Sequence, residues 1–222
     1  LFKAKFDGII FIGSSLTLDV AFFLEAHGIP FVSGNRLPKY KKLNFVEISS
    51  FAAIRKLVGI LKDHGYRHIA LAFPSPLEDY NRLIRSNWKK IKNELKLPWH
   101  DYDNFMPDYN LSSAGQLEEI WQNLAKNKPF EALICWRCLQ KNDIRLLSEI
   151  KSPGSLVIAI NIADNNPPEN FLQIRNFNFF QHFYQLWQAM YGLLLAKPGK
   201  PIHRFLQYDI EFIDPLPVKP TT

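Results

Sequence analysis

Several polar and aromatic side chains sit where a strand-like run gives way to a loop, the place in an α/β chain where groups are free to meet a ligand. Asn161 ends the run SLVIAIN and can offer an amide to a ligand hydroxyl; as a turn residue it can equally close the loop to Ala163. Trp136 and Arg137 end EALICWR and supply a stacking face and a guanidinium fork, which carbohydrate or planar ligands need. Core packing and a surface ion pair are the ordinary uses of the same two residues. Phe73, Ser75 and Asp79 line the loop after HIALAF, where Asp79 suits a helix cap better than a ligand contact. Ser14 and Ser15 follow FDGIIFIG in the same manner, or simply open a helix.

Other chemistries find little support. CWRC (Cys135 to Cys138) has the spacing of a thioredoxin-like redox pair, but two cysteines make no disulfide framework, and reduced thiols are the default reading. The six histidines show no HExxH motif, so no metal site and no cofactor is expected. No GxSxG, phosphate loop or paired carboxylates suggest a nucleophile with its base, and an enzyme is not expected.

Strands alternating with helices must position these residues. At 222 residues, 47% hydrophobic and 22% charged, the chain has the composition of an ordinary globular protein with a sizeable core. Its formal charge of +6 and pI near 9.2 come from scattered lysines, and the one dense run, KYKK, reads as a solvated loop. No apolar run of eighteen residues and no charged-then-apolar leader is present, so neither a membrane span nor a signal peptide is expected.

FDGIIFIG, IPFVSGN, NFVEIS, HIALAF, EALICWR, SLVIAIN and FLQIRN read as strands, with PWHDYDNF (Pro98 to Phe105) a weaker one and IHRFLQYDIEFI (Ile202 to Ile213) a closing one. Helices are expected over Leu16 to Gly28, with Val20, Phe23 and Leu24 inward, and over Ser50 to Gly65, with Ala53, Leu57, Ile60 and Leu61 inward. Further helices are expected over Asp79 to Leu95, Ser112 to Asn127, Leu139 to Ile150 and the aromatic-rich Phe177 to Ala196. The alternation implies an α/β fold with parallel sheets and right-handed crossovers.

The order of DGII, GIPFV, HGYRHIAL, EALICW, PGSLVIAIN and FLQIR resembles the effector-binding part of the lactose-repressor (LacI/GalR) family, starting at that family's third strand. The resemblance implies a periplasmic-binding-protein-like type I fold of two Rossmann-like lobes with parallel sheets, the first incomplete. It places 1–49 and 176–200 in a dimerising first lobe, 50–175 and 201–217 in a second, and 218–222 in a tail. With the family's first two strand–helix units absent, strand Asp7 to Gly13 becomes an apolar edge, which implies a truncated chain or a partner strand.

Carried over position by position, the family's ligand contacts have changed chemistry. An expected aspartate falls on Ser49, beside Ser50. A forked arginine falls on Ile84, with Arg82 and Arg85 nearby. Strand-end aspartates fall on Cys138 and Asn161, and a stacking aromatic falls near Asn110, beside Tyr109. A hydrogen bond to a charged group is worth about 1.5 to 3 kcal/mol, so losing three removes roughly 4 to 9 kcal/mol of binding through the usual contacts. The candidate ligand contacts are therefore Ser14, Ser49, Phe73, Ser75, Arg82, Ile84, Asn110, Trp136, Arg137 and Asn161.

The implied function is the ligand-sensing and dimerisation domain of a cytoplasmic bacterial transcriptional regulator. Its partners are a sugar-like or less polar effector, a second copy of the chain, and DNA only through a head that these residues do not include. No membrane partner is expected. The alternatives are an extracytoplasmic solute receptor and a dimer scaffold that has lost its effector.

Overall fold

The computed structural model describes residues 7–12, 16–37, 39–73, 78–100, 103, 108, 111, 113–127, 130–151, 154–164, 166–175, 179–195, 201–206, 211–212 and 215–217. In chain order the elements are β1 (Ile9–Phe11), α1 (Leu18–Ala26), β2 (Phe31–Ser33), β3 (Phe45–Ile48), α2 (Ser50–Asp63), β4 (Ile69–Ala72), α3 (Glu78–Glu94), α4 (Ser113–Lys126), β5 (Ala132–Leu139), α5 (Lys141–Ile150), β6 (Leu156–Ile162), β7 (Phe171–Arg175), α6 (Phe179–Leu195), β8 (His203–Leu206) and β9 (Glu211–Phe212). They form two units, 1–50 with 177–208 and 51–176 with 209–222.

Helix punctuation follows from a few residues. Thr17 Oγ1 accepts from the Val20 N–H at 3.4 Å and starts α1. Gly28, at φ 64°, ends it: its N–H donates to Glu25 O at 3.0 Å, and the next N–H, that of Ile29, reaches back to Leu24 O at 3.0 Å. The same double bond closes α3 on a lysine, for Lys96 stands at φ 53°, with Lys96 N–H to Asn93 O at 3.1 Å and Leu97 N–H to Lys92 O at 2.9 Å.

In the first unit β1, β2, β3 and β8 form a parallel sheet in that order. Val32 and Val46 meet Leu186, Ala189 and Met190 of α6 in its core. Buried His182, also on α6, donates from Nε2 to Val46 O at 2.9 Å, and burial holds its pKa below the ordinary 6.5. Strand β1 is an edge of the sheet, half-buried along Ile9–Phe11, with Ile12 beyond it exposed. Helix α1 departs from its expected stripe: Ala21 and Leu24 are buried, while Val20 and Phe23 face solvent.

In the second unit β4, β5, β6 and β7 are parallel, and β9 adds an antiparallel edge. One face packs on α4 and α5 through Leu117, Ile120, Trp121, Leu133, Cys135, Ile144, Leu147 and Val157. The alternate residues Ile69, Leu71, Ile134 and Ile158 are buried too, as strands covered on both faces must be. Asp143 ties α5 to its surroundings: Oδ2 accepts from the Gln140 N–H at 2.9 Å and Oδ1 from Trp121 Nε1 at 3.3 Å.

Three expectations are corrected. The closing strand is two strands in different units, since β8 pairs with β3 (Phe45↔His203 to Ile48↔Leu206) and β9 pairs with β7. Residues 201–208 therefore join the first unit, and the second regains the chain at 209. No strand is found among the described residues of Pro98 to Phe105, because Asp103 folds back: it accepts from the His100 N–H at 3.1 Å and faces the buried Lys92 ammonium at 3.2 Å. Lastly, β5 runs on through Leu139, so α5 begins at Lys141.

Two measurements check this reading of the backbone and of His182. A Cβ on Gly28 would meet nothing within 4 Å, so Gly28→Ala tests conformation alone and should lower unfolding stability by about 1 kcal/mol, while Lys96→Gly should raise it by roughly 0.5 to 1 kcal/mol in urea titrations. Because folding lowers the His182 pKa, the unfolded chain binds the extra proton first as pH falls. Stability should therefore decline from about pH 6.5 down through the folded-state pKa, and His182→Gln should flatten that part of the profile.

Candidate functional site

Parallel strands all end at one edge, so each unit gathers its strand-end side chains along a single rim. In the second unit that rim carries a row of aromatic rings. Phe73 directly follows β4, and its ring lies 6.2 Å from that of Trp136 on β5 and 6.4 Å from that of Phe51 in the first turn of α2, with planes inclined by 27° in both pairs. Trp136 is only 7% exposed, so its indole backs the row, and the half-buried rings of Phe73 and Phe51 form its accessible part.

The polar candidates are turned to local uses. Arg137 folds onto its own strand, with Nε donating to Cys138 O at 2.9 Å. Asn161, exposed and in register with Cys138 across the β5–β6 ladder, accepts from the Ile162 N–H at 2.9 Å, which leaves the amide nitrogen as the donor it can offer outward. Phe73, Trp136, Arg137, Cys138 and Asn161 thus lie toward the carboxyl ends of β4, β5 and β6.

Ile84 does not share it. At 1% exposure it lies on the buried stripe of α3 with Trp88 and Ile91, so the position given to a ligand-forking arginine is core in this chain. Arg82 on the same helix is exposed, and Arg85 places its guanidinium 5.6 Å over the Trp99 ring. Ser49 belongs to the first unit, beyond β3, where its N–H donates to Leu206 O at 2.8 Å. Ser14, Ser75 and Asn110 lie outside the described residues, as do Ser15 and Tyr109.

The cysteine pair is no dithiol centre. Both thiols are free and both lie within β5, and burial pushes the Cys135 thiol well above its usual range, with the Asp143 charge adding to the effect. Cys138 is half-buried, its Sγ 3.6 Å from Gln140 Nε2. Among the described residues no three of His, Cys, Asp and Glu converge as a metal cage, and no helix is long and apolar enough to cross a membrane.

The first unit holds a constellation that the sequence did not reveal. Glu47, third residue of β3, is 2% exposed and pairs through Oε2 with Arg36 Nε at 3.1 Å. Its register partner on β8 is Phe205, 52% exposed, whose ring lies 5.7 Å from the Arg36 guanidinium carbon. The one available hint was a lone carboxylate in the apolar run NFVEIS; nothing in the chain linked it to residues 11 positions before and 158 after it.

No protein-family model matches the sequence, and no curated protein is recognisably similar to it. Solved structures are similar in fold. The cellobiose complex of the transcriptional regulator CelR matches at 14% identity with a TM-score of 0.66, over 92% of this chain and 64% of that one. The transcription regulator CcpA of Lactococcus lactis matches at 16% identity and 0.67, over 92% and 76%. A LacI family regulator from Enterococcus faecium with bound ribose matches at 15% and 0.61, over 92% and 77%. The chain thus spans less than two thirds of the cellobiose-bound regulator. Two α/β units with parallel sheets, joined in this order, give the chain the periplasmic-binding-protein-like fold of the LacI-type transcriptional regulators.

Proposed function

We propose that the chain is the effector-sensing and dimerising part of a LacI-type transcriptional regulator, acting in the cytoplasm. A small ligand, sugar-like or less polar, is held at the strand-end rims, and DNA is engaged by residues outside this chain. The observation that carries the reading is the Phe51–Phe73–Trp136 row at the carboxyl ends of β4 and β5, on a fold shared with regulators solved with cellobiose and with ribose. A ligand controls such a protein only through different affinities for two arrangements of its parts. The chemistry of the rim's described residues is binding rather than catalytic, for among them are rings, an amide and a guanidinium but no activated nucleophile.

The proposed dimer surface is α6. Tyr184, Trp187, Tyr191, Leu194 and Leu195 are exposed along one stripe, and the rings are already stacked, 6.4 Å from 184 to 187 and 5.4 Å from 187 to 191. A pre-ordered aromatic stripe loses little side-chain entropy on association, which favours its use as an interface.

Two experiments test this reading. Thermal denaturation in the presence of sugars, nucleosides and small aromatic compounds should raise the melting temperature for at least one class. Stabilisation should reach about 2.7 kcal/mol at a hundredfold excess over Kd, and Phe73→Ala should diminish it. A panel that shifts nothing favours the effector-free scaffold instead. Sedimentation velocity should show a dimer that the double variant Trp187→Lys, Tyr191→Lys converts to monomer; an unaltered dimer would remove α6 as the interface.

A further inference from the structure

We propose that the groove between α2 and α3 of the second unit binds a small amphipathic anion, an apolar chain or ring that carries a single carboxylate. The inference goes beyond the sensor reading and does not depend on it, because every residue it uses lies on these two helices.

The groove has a volume of about 620 Å³, which is in the range of sites that take drug-sized ligands. Its bed is apolar. Ile91 is buried there at 5% exposure, while Phe51, Ile60 and Leu95 are only half-buried and so keep apolar surface that the core does not use. Gly59 lies among them in the interior of α2, where glycine is a poor residue because it costs backbone entropy and packs nothing. A Cβ at Gly59 would meet nothing within 4 Å, so close packing inside the chain does not require the glycine. What the missing side chain leaves is room in the groove.

Charge selects the occupant. Arg55, Lys56 and Lys90 line the groove against two carboxylates, Asp63 and Glu94, which leaves one positive charge in excess. Glu94 is already engaged: its Oε2 pairs with Arg55 Nε at 2.9 Å from one helix to the other, and its Oε1 stands 4.0 Å from Lys90 Nζ. Asp63 is the last residue of α2, roughly 10 Å along the helix from Lys56 by the rise per residue. The excess therefore falls toward the Lys56 end. A carboxylate beside Lys56 and Lys90, both exposed, gains charge-assisted hydrogen bonds, while the apolar part of the same molecule covers Gly59, Ile60, Ile91 and Leu95. A cation would meet repulsion from the same lysines. A polyanion fits less well than a monoanion, since Asp63 and Glu94 would oppose its further charges.

The test is titration calorimetry on the whole 222-residue chain with octanoate and indole-3-acetate, beside their neutral counterparts octanamide and indole-3-acetamide. At least one acid should bind saturably, and its amide about tenfold or more weakly. Gly59→Leu should fill the groove and abolish binding; leucine is the better helix former, so this unliganded variant should melt no lower than the parent chain. The double variant Lys56→Met, Lys90→Met should weaken the acid about tenfold and the amide little, whereas Phe73→Ala should leave both unchanged. Circular dichroism of each variant separates lost binding from lost folding. Acid binding that survives Gly59→Leu overturns the proposal, as does an amide that binds as tightly as its acid. Failure of both acids to bind at millimolar concentration overturns it too. None of these outcomes bears on the strand-end reading, which turns on Phe73.

Discussion

The parallel backbone ladder is the constraint on which the rest of this structure depends. Strands β4 to β7, like β1, β2, β3 and β8, run in one direction, so each connection must return across a face of its sheet. That requirement covers both faces with helices, and it explains why Ile69, Leu71, Ile134 and Ile158 are as buried as Ala70, Leu133 and Val157. It also sends every strand's carboxyl end to the same rim. Ligand binding in such a fold gathers at those rims, because the backbone elsewhere is consumed by the ladder and the inward side chains by the core.

How much of this was legible depended on whether the signal was local. The buried strands could be read because continuous apolar runs such as EALICW and SLVIAI have few other uses, and the helices because Gly28 and Gly65 mark their ends. What failed was non-local. IHRFLQYDIEFI reads as one strand, and only the pairing of Phe45 with His203 and of Ile174 with Phe212 reveals that its two ends serve different sheets. Among the described residues of Pro98 to Phe105, a non-local contact again departs from the expected strand. Local propensity could not anticipate that Asp103 would be drawn to a buried ammonium, Lys92, on the preceding helix.

The candidate site was legible in the second unit and hidden in the first. Phe73, Trp136 and Asn161 each follow or end a recognisable strand, so the switch-point rule names them as candidates. Their roles within the row were not legible, because nothing local told that Trp136 would be covered and Phe73 left accessible. Position-by-position transfer from the resemblance misled at Ile84, where helical periodicity with Trp88 and Ile91 was the sounder guide. Arg36, Glu47 and Phe205 escaped because their meeting depends on β8 crossing into the first unit.

The chain passes between the two units at three places, after 50, after 176 and after 208. That connectivity bears on how binding becomes a signal. A ligand held by one unit alone gains the same contacts whatever the other unit does, so it shifts no equilibrium between arrangements. Coupling requires contacts that depend on both. In this chain the second unit's rim offers mainly aromatic surface, Phe51 and Phe73 backed by Trp136, while the first unit's rim supplies a charged pair and an exposed ring. The two rims thus differ in what each can supply, stacked apolar rings giving affinity with little directionality and a charged pair giving orientation.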